Sequence, residues 1–171
     1  MFIEIKNLTK VYDNYLAVDK INFQLNKNRT LGLLGPNGCG KTTTIGMILG
    51  LIAPTNGEIL IENRNMNTLN RDEVLARFNF ASPYVELPKK LTVKQNLEIY
   101  GRLYGIEDLS TRINEISKDL DIKNFFNRKT GELSSGQKNR VSLAKSLINK
   151  PEILLLDCLL YTSDAADDRM R

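Results

Sequence analysis

The run Gly35-Pro36-Asn37-Gly38-Cys39-Gly40-Lys41-Thr42-Thr43 constrains this chain more than any other feature. It follows a short apolar stretch, Thr30-Leu31-Gly32-Leu33-Leu34-Gly35, of the kind expected of a buried strand. It precedes Ile45, Ile48, Leu49 and Ile52, which fall at helical spacing. A glycine-rich turn between strand and helix lets successive backbone N–H groups point inward, and the helix N-terminus adds the positive end of its dipole. The run therefore predicts a cradle for phosphate oxygens. Lys41 would reach the β- and γ-phosphates as a point charge, the Thr42 hydroxyl would ligate Mg²⁺, and Thr43 would touch an earlier phosphate.

The rest of the chain supplies a frame for such a loop. Phe2 to Leu8 and Val18 to Leu25 alternate apolar and polar residues, which predicts two strands forming an antiparallel flank. Pro54 and Gly57 end the first helix before a strand from Glu58 to Glu62. Between Arg71 and Lys129 the pattern turns amphipathic, with Val93, Leu97, Tyr100 and Tyr104 on one stripe and Ile113, Ile116 and Leu120 on another. This predicts a helical subdomain over about 84–130. A further helix is expected from Ser135 to Ile148, with Val141, Leu143 or Ala144, and Leu147 facing inward, and Pro151 introduces a buried parallel strand, Ile153 to Leu156. The fold class read from this order is α/β: a P-loop NTPase core, a parallel sheet around the P-loop helix, with an antiparallel β flank and an α-helical subdomain. No internal repeat or low-complexity tract interrupts it.

Composition narrows the setting. At 171 residues there is room for one domain with a substantial core, and a net charge of +4 is explained by solvated lysines without invoking nucleic acid. No apolar run is long enough to cross a bilayer, and Met1-Phe2-Ile3-Glu4-Ile5-Lys6 is charged where a signal peptide would be apolar. Cys39 and Cys158 form no metal or disulfide pattern, which fits a reducing compartment, and histidine is absent.

A second motif separates this chain from other P-loop nucleotidases. Leu133-Ser134-Ser135-Gly136-Gln137 resembles the L-S-G-G-Q signature of ABC ATPases with serine at the first glycine, ahead of Asn139-Arg140-Val141-Ser142-Leu143-Ala144, which is similar to the helix that follows it there. Read alone it is also a helix N-cap with Ser134 as the capping residue. Pro151-Glu152-Ile153-Leu154-Leu155-Leu156-Asp157 resembles the Walker B strand. The resemblance to ABC nucleotide-binding domains runs from Phe2 to Asp157. It implies that Tyr12, ahead of Ala17-Val18, stacks on adenine, where the alternative is packing on a strand edge. It implies that Ser134, Ser135, Gly136 and Gln137 of one domain cover the γ-phosphate held by Lys41 of a second, and that Asp157 positions Mg²⁺.

The sequence departs from this family in two places. The glutamine expected between core and helical subdomain is missing from Phe78-Asn79-Phe80-Ala81-Ser82-Pro83-Tyr84, so Ser82 or Pro83 fills the slot. A hydroxyl at Ser82 is able to hold a metal-bound water, and a weaker coupling between nucleotide and membrane partner is the equal alternative. After Asp157 the family continues with a catalytic glutamate, a D-loop and a switch histidine, where this chain has Cys158-Leu159-Leu160. Cys158 to Asp167 is the translation of TGT CTC TTA TAC ACA TCT GAC GCT GCC GAC, which resembles the transposase end and adapter of a sequencing library. Asn, Lys and Ile also vanish after Ile153. Residues 1–157 are therefore expected to be a partial ABC ATPase domain, incomplete at its C-terminus, and residues 158–171 to be non-native read-through.

The resemblance implies an ATP-binding and ATP-hydrolysing subunit of an ABC transporter, using ATP and Mg²⁺ and similar to the ATPases of ABC-2 type exporters. Its partners would be a transmembrane permease subunit and a second ABC domain, with no nucleic acid, on the cytoplasmic face of the inner or plasma membrane. The chain as it stands is expected to be inactive in hydrolysis, lacking the general base. Rival readings are the first domain of a tandem ABC translation or ribosome factor and a half-transporter with fused membrane helices. The short gap between P-loop and signature disfavours DNA-maintenance ATPases. Nothing in the residues specifies a transported substrate.

Overall fold

The computed structural model describes residues 2–68, 71–82 and 86–157. Pro83, one of the two candidates for the missing glutamine, and the tail at 158–171 lie outside the described residues. The chain divides into two compact units, Met1–Leu75 and Ala76–Arg171.

In the first unit, β1 (Ile3–Tyr12) and β2 (Tyr15–Leu25) form a long antiparallel hairpin, with β3 (Asn56–Ile61) on the other edge of β1 and a short β4 (Arg64–Asn65) beyond it. Both hairpin strands run further toward the tip than the alternation predicted. The reason is the two-residue connection: Asp13 takes φ 48°, the left-handed geometry that lets Tyr12 and Tyr15 remain paired. Ile3 and Ile5 of β1 and Ile59 and Ile61 of β3 are buried at period two, which gives the sheet one covered face. Helix α1 (Lys41–Ile48) buries Thr44 to Ile48 without interruption. It stops one turn earlier than Ile52 suggested, because Gly50 adopts φ 66° and the Leu51 N–H turns back to the Gly46 carbonyl at 2.9 Å.

Thr30 to Gly35 corrects the sequence reading. The segment carries no strand pairing among the described residues, and Leu31 and Leu34 are exposed, Leu34 to 94%. An apolar run becomes a buried strand only when neighbouring backbones complete its hydrogen bonds, and neither sheet of the described residues includes this segment.

A short α2 (Arg71–Ala76) lies at the junction of the units. The second unit then contains β5 (Phe78–Ala81), α3 (Val93–Leu103), α4 (Leu109–Asp119), α5 (Ser135–Leu147) and β6 (Ile153–Leu156). Val93, Leu97, Ile113, Ile116, Val141, Ala144 and Ile148 form one buried cluster with Ile122, Phe125 and Leu133. The two predicted stripes thus meet the signature helix. Ala144, not Leu143, is the inward residue of α5, and Tyr104 is 40% exposed because α3 has ended before it.

β5 and β6 pair in parallel, Phe78 with Ile153 through Ala81 with Leu156. Their entry is locked by a bidentate ion pair, with Arg77 Nε and Nη2 donating to the Glu152 carboxylate at 3.0 and 2.9 Å. Asn79 donates to the Asn149 side chain at 2.8 Å beside it. Among the described residues β6 has a neighbour on one side only, and Leu156 is half exposed.

Candidate nucleotide-binding site

The phosphate loop is shaped by where a Cβ cannot go. Gly40, at φ 89°, is the residue before α1, and a side chain there would run into the Ala17 carbonyl and come within 2.9 Å of the Val18 side chain. The hairpin backbone thus presses directly on the turn, which only glycine permits. Gly38, at φ 82°, needs glycine for its backbone geometry alone, since the space around it is open. A tight turn closes with the Cys39 N–H on the Pro36 carbonyl at 3.3 Å, and Thr44 anchors the start of α1 with its N–H and hydroxyl on the Gly40 carbonyl at 2.8 and 2.9 Å.

Lys41 folds back over its own loop. Its ammonium donates to the carbonyls of Gly35 and Pro36 at 2.7 and 2.8 Å and lies 3.6 Å from Cys39 Sγ. It forms no ion pair among the described residues, so its charge is met by neutral oxygens only. Asn37, Cys39 and Thr42 are exposed and Thr43 is half-buried, and the Thr42 hydroxyl makes no hydrogen bond among the described residues. The turn from Gly35 to Thr43 is an open, cationic loop at a helix N-terminus.

The hairpin tip adds two rings. Tyr12, predicted to stack on a base, is 43% exposed, with the Lys10 ammonium 4.9 Å from its centroid. Tyr15, which the sequence reading passed over, donates its hydroxyl to the Gly38 carbonyl at 3.4 Å. Its pairing with Tyr12 across the turn was the available signal, because cross-strand partners share a face.

In the second unit the signature residues build a reciprocal helix cap. The Gln137 N–H donates to Ser134 Oγ at 3.3 Å, and the Ser134 N–H donates to Gln137 Oε1 at 3.0 Å. The two side chains are thus engaged with each other's backbone, and the N–H groups of Ser135 and Gly136 remain the free donors at the start of α5 among the described residues. The capping role and a phosphate-facing one are compatible, because they use different atoms of the same four residues. A cap that leaves two N–H groups outward is what an anion at a helix terminus requires.

Ser82 and Asp157 stand side by side, each immediately after the carboxyl end of one of the two parallel strands. The Asp157 N–H extends the ladder by donating to the Ala81 carbonyl at 2.9 Å. Ser82 is 3% exposed and Asp157 half-buried. Ligands of parallel α/β sheets bind at this end of the strands. No cluster of three or more His, Cys, Asp or Glu side chains able to hold a metal occurs among the described residues. The Thr42 hydroxyl in the first unit and the Asp157 carboxylate in the second are each of the hard oxygen type that Mg²⁺ takes, an ion that uses few protein ligands and completes its shell with water and phosphate oxygens.

Comparison with known proteins agrees with this geometry. The ABC transporter family profile matches residues 18–158. The chain is 36% identical over 165 residues to the spermidine/putrescine import ATP-binding protein PotA of Nitrosospira multiformis, covering 95% of this chain and 45% of PotA. It is 35% identical over 157 residues to the probable multidrug ABC transporter ATP-binding protein YbhF of Escherichia coli, covering 91% of this chain and 27% of that protein. The chain therefore spans less than half the length of these two relatives. Among solved structures, the ATP-binding cassette MJ0796, in a dimeric post-hydrolysis state bound to ADP and Pi, superposes with a TM-score of 0.78 at 29% identity, over 96% of this chain and 77% of that one. With phosphate loop, signature cap and Walker B strand in place, this chain belongs to the ABC transporter family and carries its ATP-binding domain.

Proposed function

We propose that the chain is the motor portion of an ABC transporter's ATP-binding subunit, taking MgATP on the Gly35–Thr43 loop and, in its complete form, hydrolysing it to drive transport. The observation that carries this reading is the state of Lys41. Its ammonium rests on two carbonyls of its own loop and on no carboxylate among the described residues. A triphosphate then exchanges neutral acceptors for anionic ones, a gain that an already paired lysine would forgo. Loop amides and Lys41 hold the developing charge on the γ-phosphoryl group, where stabilisation is greatest in a preorganised site. Tyr12 offers a face to adenine, and Ser135 and Gly136 offer their N–H groups to the γ-phosphate of a nucleotide held by a second ABC domain.

Mg²⁺, when bound, would supply neutralisation of phosphate charge. Thr42 and Asp157 would hold it, Asp157 through water, with Ser82 the candidate to hold a metal-bound water. No glutamate follows Asp157, where Cys158 stands, so this chain is expected to bind nucleotide without useful turnover, a deficit of about 10²–10⁴-fold for a missing general base.

No helix among the described residues is long and apolar enough to cross a membrane. The reading takes a transmembrane permease as partner, with the domain held at the cytoplasmic face through it. Relatives named for polyamine import and for multidrug transport match almost equally, at 36% and 35% identity. Substrate and direction are thus assigned to that partner and not to the nucleotide domain. Calorimetric titration of the 171-residue chain with MgATP tests the proposal: saturable binding is expected, and the absence of any nucleotide binding by folded protein overturns it.

A further inference from the structure

One buried polar cluster in the second unit plays no part in the nucleotide chemistry. Asn96, in the first turn of α3, is 1% exposed. Its amide nitrogen lies 3.3, 3.4 and 3.0 Å from the carbonyls of Pro88, Leu91 and Thr92. Thr130 is 4% exposed. Its hydroxyl donates to the same Pro88 carbonyl at 2.8 Å, with Leu91 O at 3.4 Å, and its N–H donates to Leu91 O at 3.0 Å. Two side chains from distant parts of the chain thus converge on one turn.

That turn is a template. The Gly131 N–H donates to Lys89 O at 3.1 Å, Val93 and Lys94 donate to the carbonyls of Arg128 and Phe126 at 3.1 and 3.0 Å, and Thr92 bridges Lys129. A Cβ on Gly131 would lie 3.1 Å from Lys89 O, so the two backbones meet at close range. The Asn96 side-chain oxygen has no partner among the described residues. A buried acceptor left unsatisfied destabilises the fold, and leucine, of similar branched shape, would avoid it. What the asparagine supplies is its NH₂ group, and that group is spent entirely on the turn.

We infer that Asn96 and Thr130 are positioning residues for the signature turn. Asn96 fixes Pro88 to Thr92, this turn fixes Lys129 to Gly131, and Leu133, buried and bonded through its N–H to Thr130 O at 3.4 Å, passes the placement to Ser134 and the first amides of α5. The consequence for ATP rests on the nucleotide role proposed above for Ser134 to Gln137. The placement itself does not.

Hydrogen exchange on the 171-residue chain separates the two. In Thr130→Val the amides from Thr130 to Lys138 should exchange about tenfold faster, with those of Leu97 and of Val141 to Ile148 within about twofold of the parent. Thr130→Ser, which restores the hydroxyl, should restore protection, and Asn96→Leu should reproduce the local loss. MgATP affinity of Thr130→Val should stay within about twofold of the parent, because the P-loop lies in the other unit. Uniform acceleration across the second unit, failure of serine to rescue, or unchanged exchange at 130–138 in both Thr130→Val and Asn96→Leu would overturn the inference. If the parent chain binds no MgATP, the nucleotide reading falls while the exchange result stands unaffected.

Discussion

The phosphate loop and the signature turn are both helix N-termini, yet they are held in opposite ways. Around Gly35 to Thr43 the fixed geometry is supplied by glycines and by the hairpin backbone against Gly40, while the one strong cation is parked on its own loop. At Ser134 to Gln137 every capping side chain is already engaged, and the approach to it is stitched into a buried core through Thr130. The first is an open receptor whose electrostatics are incomplete without an anion. The second is a finished surface that presents donors. On the function proposed above, a motor that closes one such surface over another's bound nucleotide needs both kinds, since a rigid lid places its donors at little further cost in conformational entropy.

This contrast predicts that changes in the loop act on binding and changes at the signature act on stability. Lys41→Ala should weaken MgATP binding by at least about 100-fold, since each charge-assisted bond contributes roughly 1.5–3 kcal/mol. Calorimetry showing unchanged affinity would place the phosphate elsewhere. Gly40→Ala comes next: φ 89° and the clash with the Ala17 carbonyl should cost about 1–3 kcal/mol of strain, read as a lower unfolding midpoint together with weakened nucleotide binding. Cys39 is exposed within the loop, so alkylation should block binding and MgATP should slow it severalfold; equal labelling rates with and without nucleotide would contradict the placement.

At the signature, Ser134→Ala should lower stability by about 1 kcal/mol through loss of the cap, with MgATP affinity of the isolated chain unchanged. A large loss of affinity here would erase the contrast. The smallest effect is expected at Asp108, the cap of α4, whose carboxyl is held below the usual carboxylate range by the side chain and backbone N–H of Thr111. A depressed carboxylate contributes stability above its unfolded pKa and loses it as pH falls through the folded value. The protection of α4 in the parent over Asp108→Ala should therefore be present at neutral pH and shrink on acidification below that range.

Much of this was legible in the residues. The loop from Gly35 to Thr43 depends on local chemistry, glycine at left-handed positions and a lysine at fixed spacing, and such signals survive without a fold. The α5 cap is equally local, because Ser134 and Gln137 are three residues apart. The stripes Val93-Leu97 and Ile113-Ile116 identified core faces because helical period alone selects them. Thr30 to Leu34 misled, since an apolar run records a preference for burial while strand pairing depends on backbones far away in sequence.

What the sequence by itself determined was each element whose geometry is closed within a few residues: the loop, the cap and the helical faces. Only the tertiary structure decided that Ser82 and Asp157 stand at neighbouring strand ends, that Tyr15 reaches Gly38, and that Asn96 and Thr130 grip one turn. Tyr15–Gly38 and Thr130–Pro88 join residues 23 and 42 positions apart. They arise when packed elements bring buried donors and acceptors within reach, and no local propensity encodes which partners will meet.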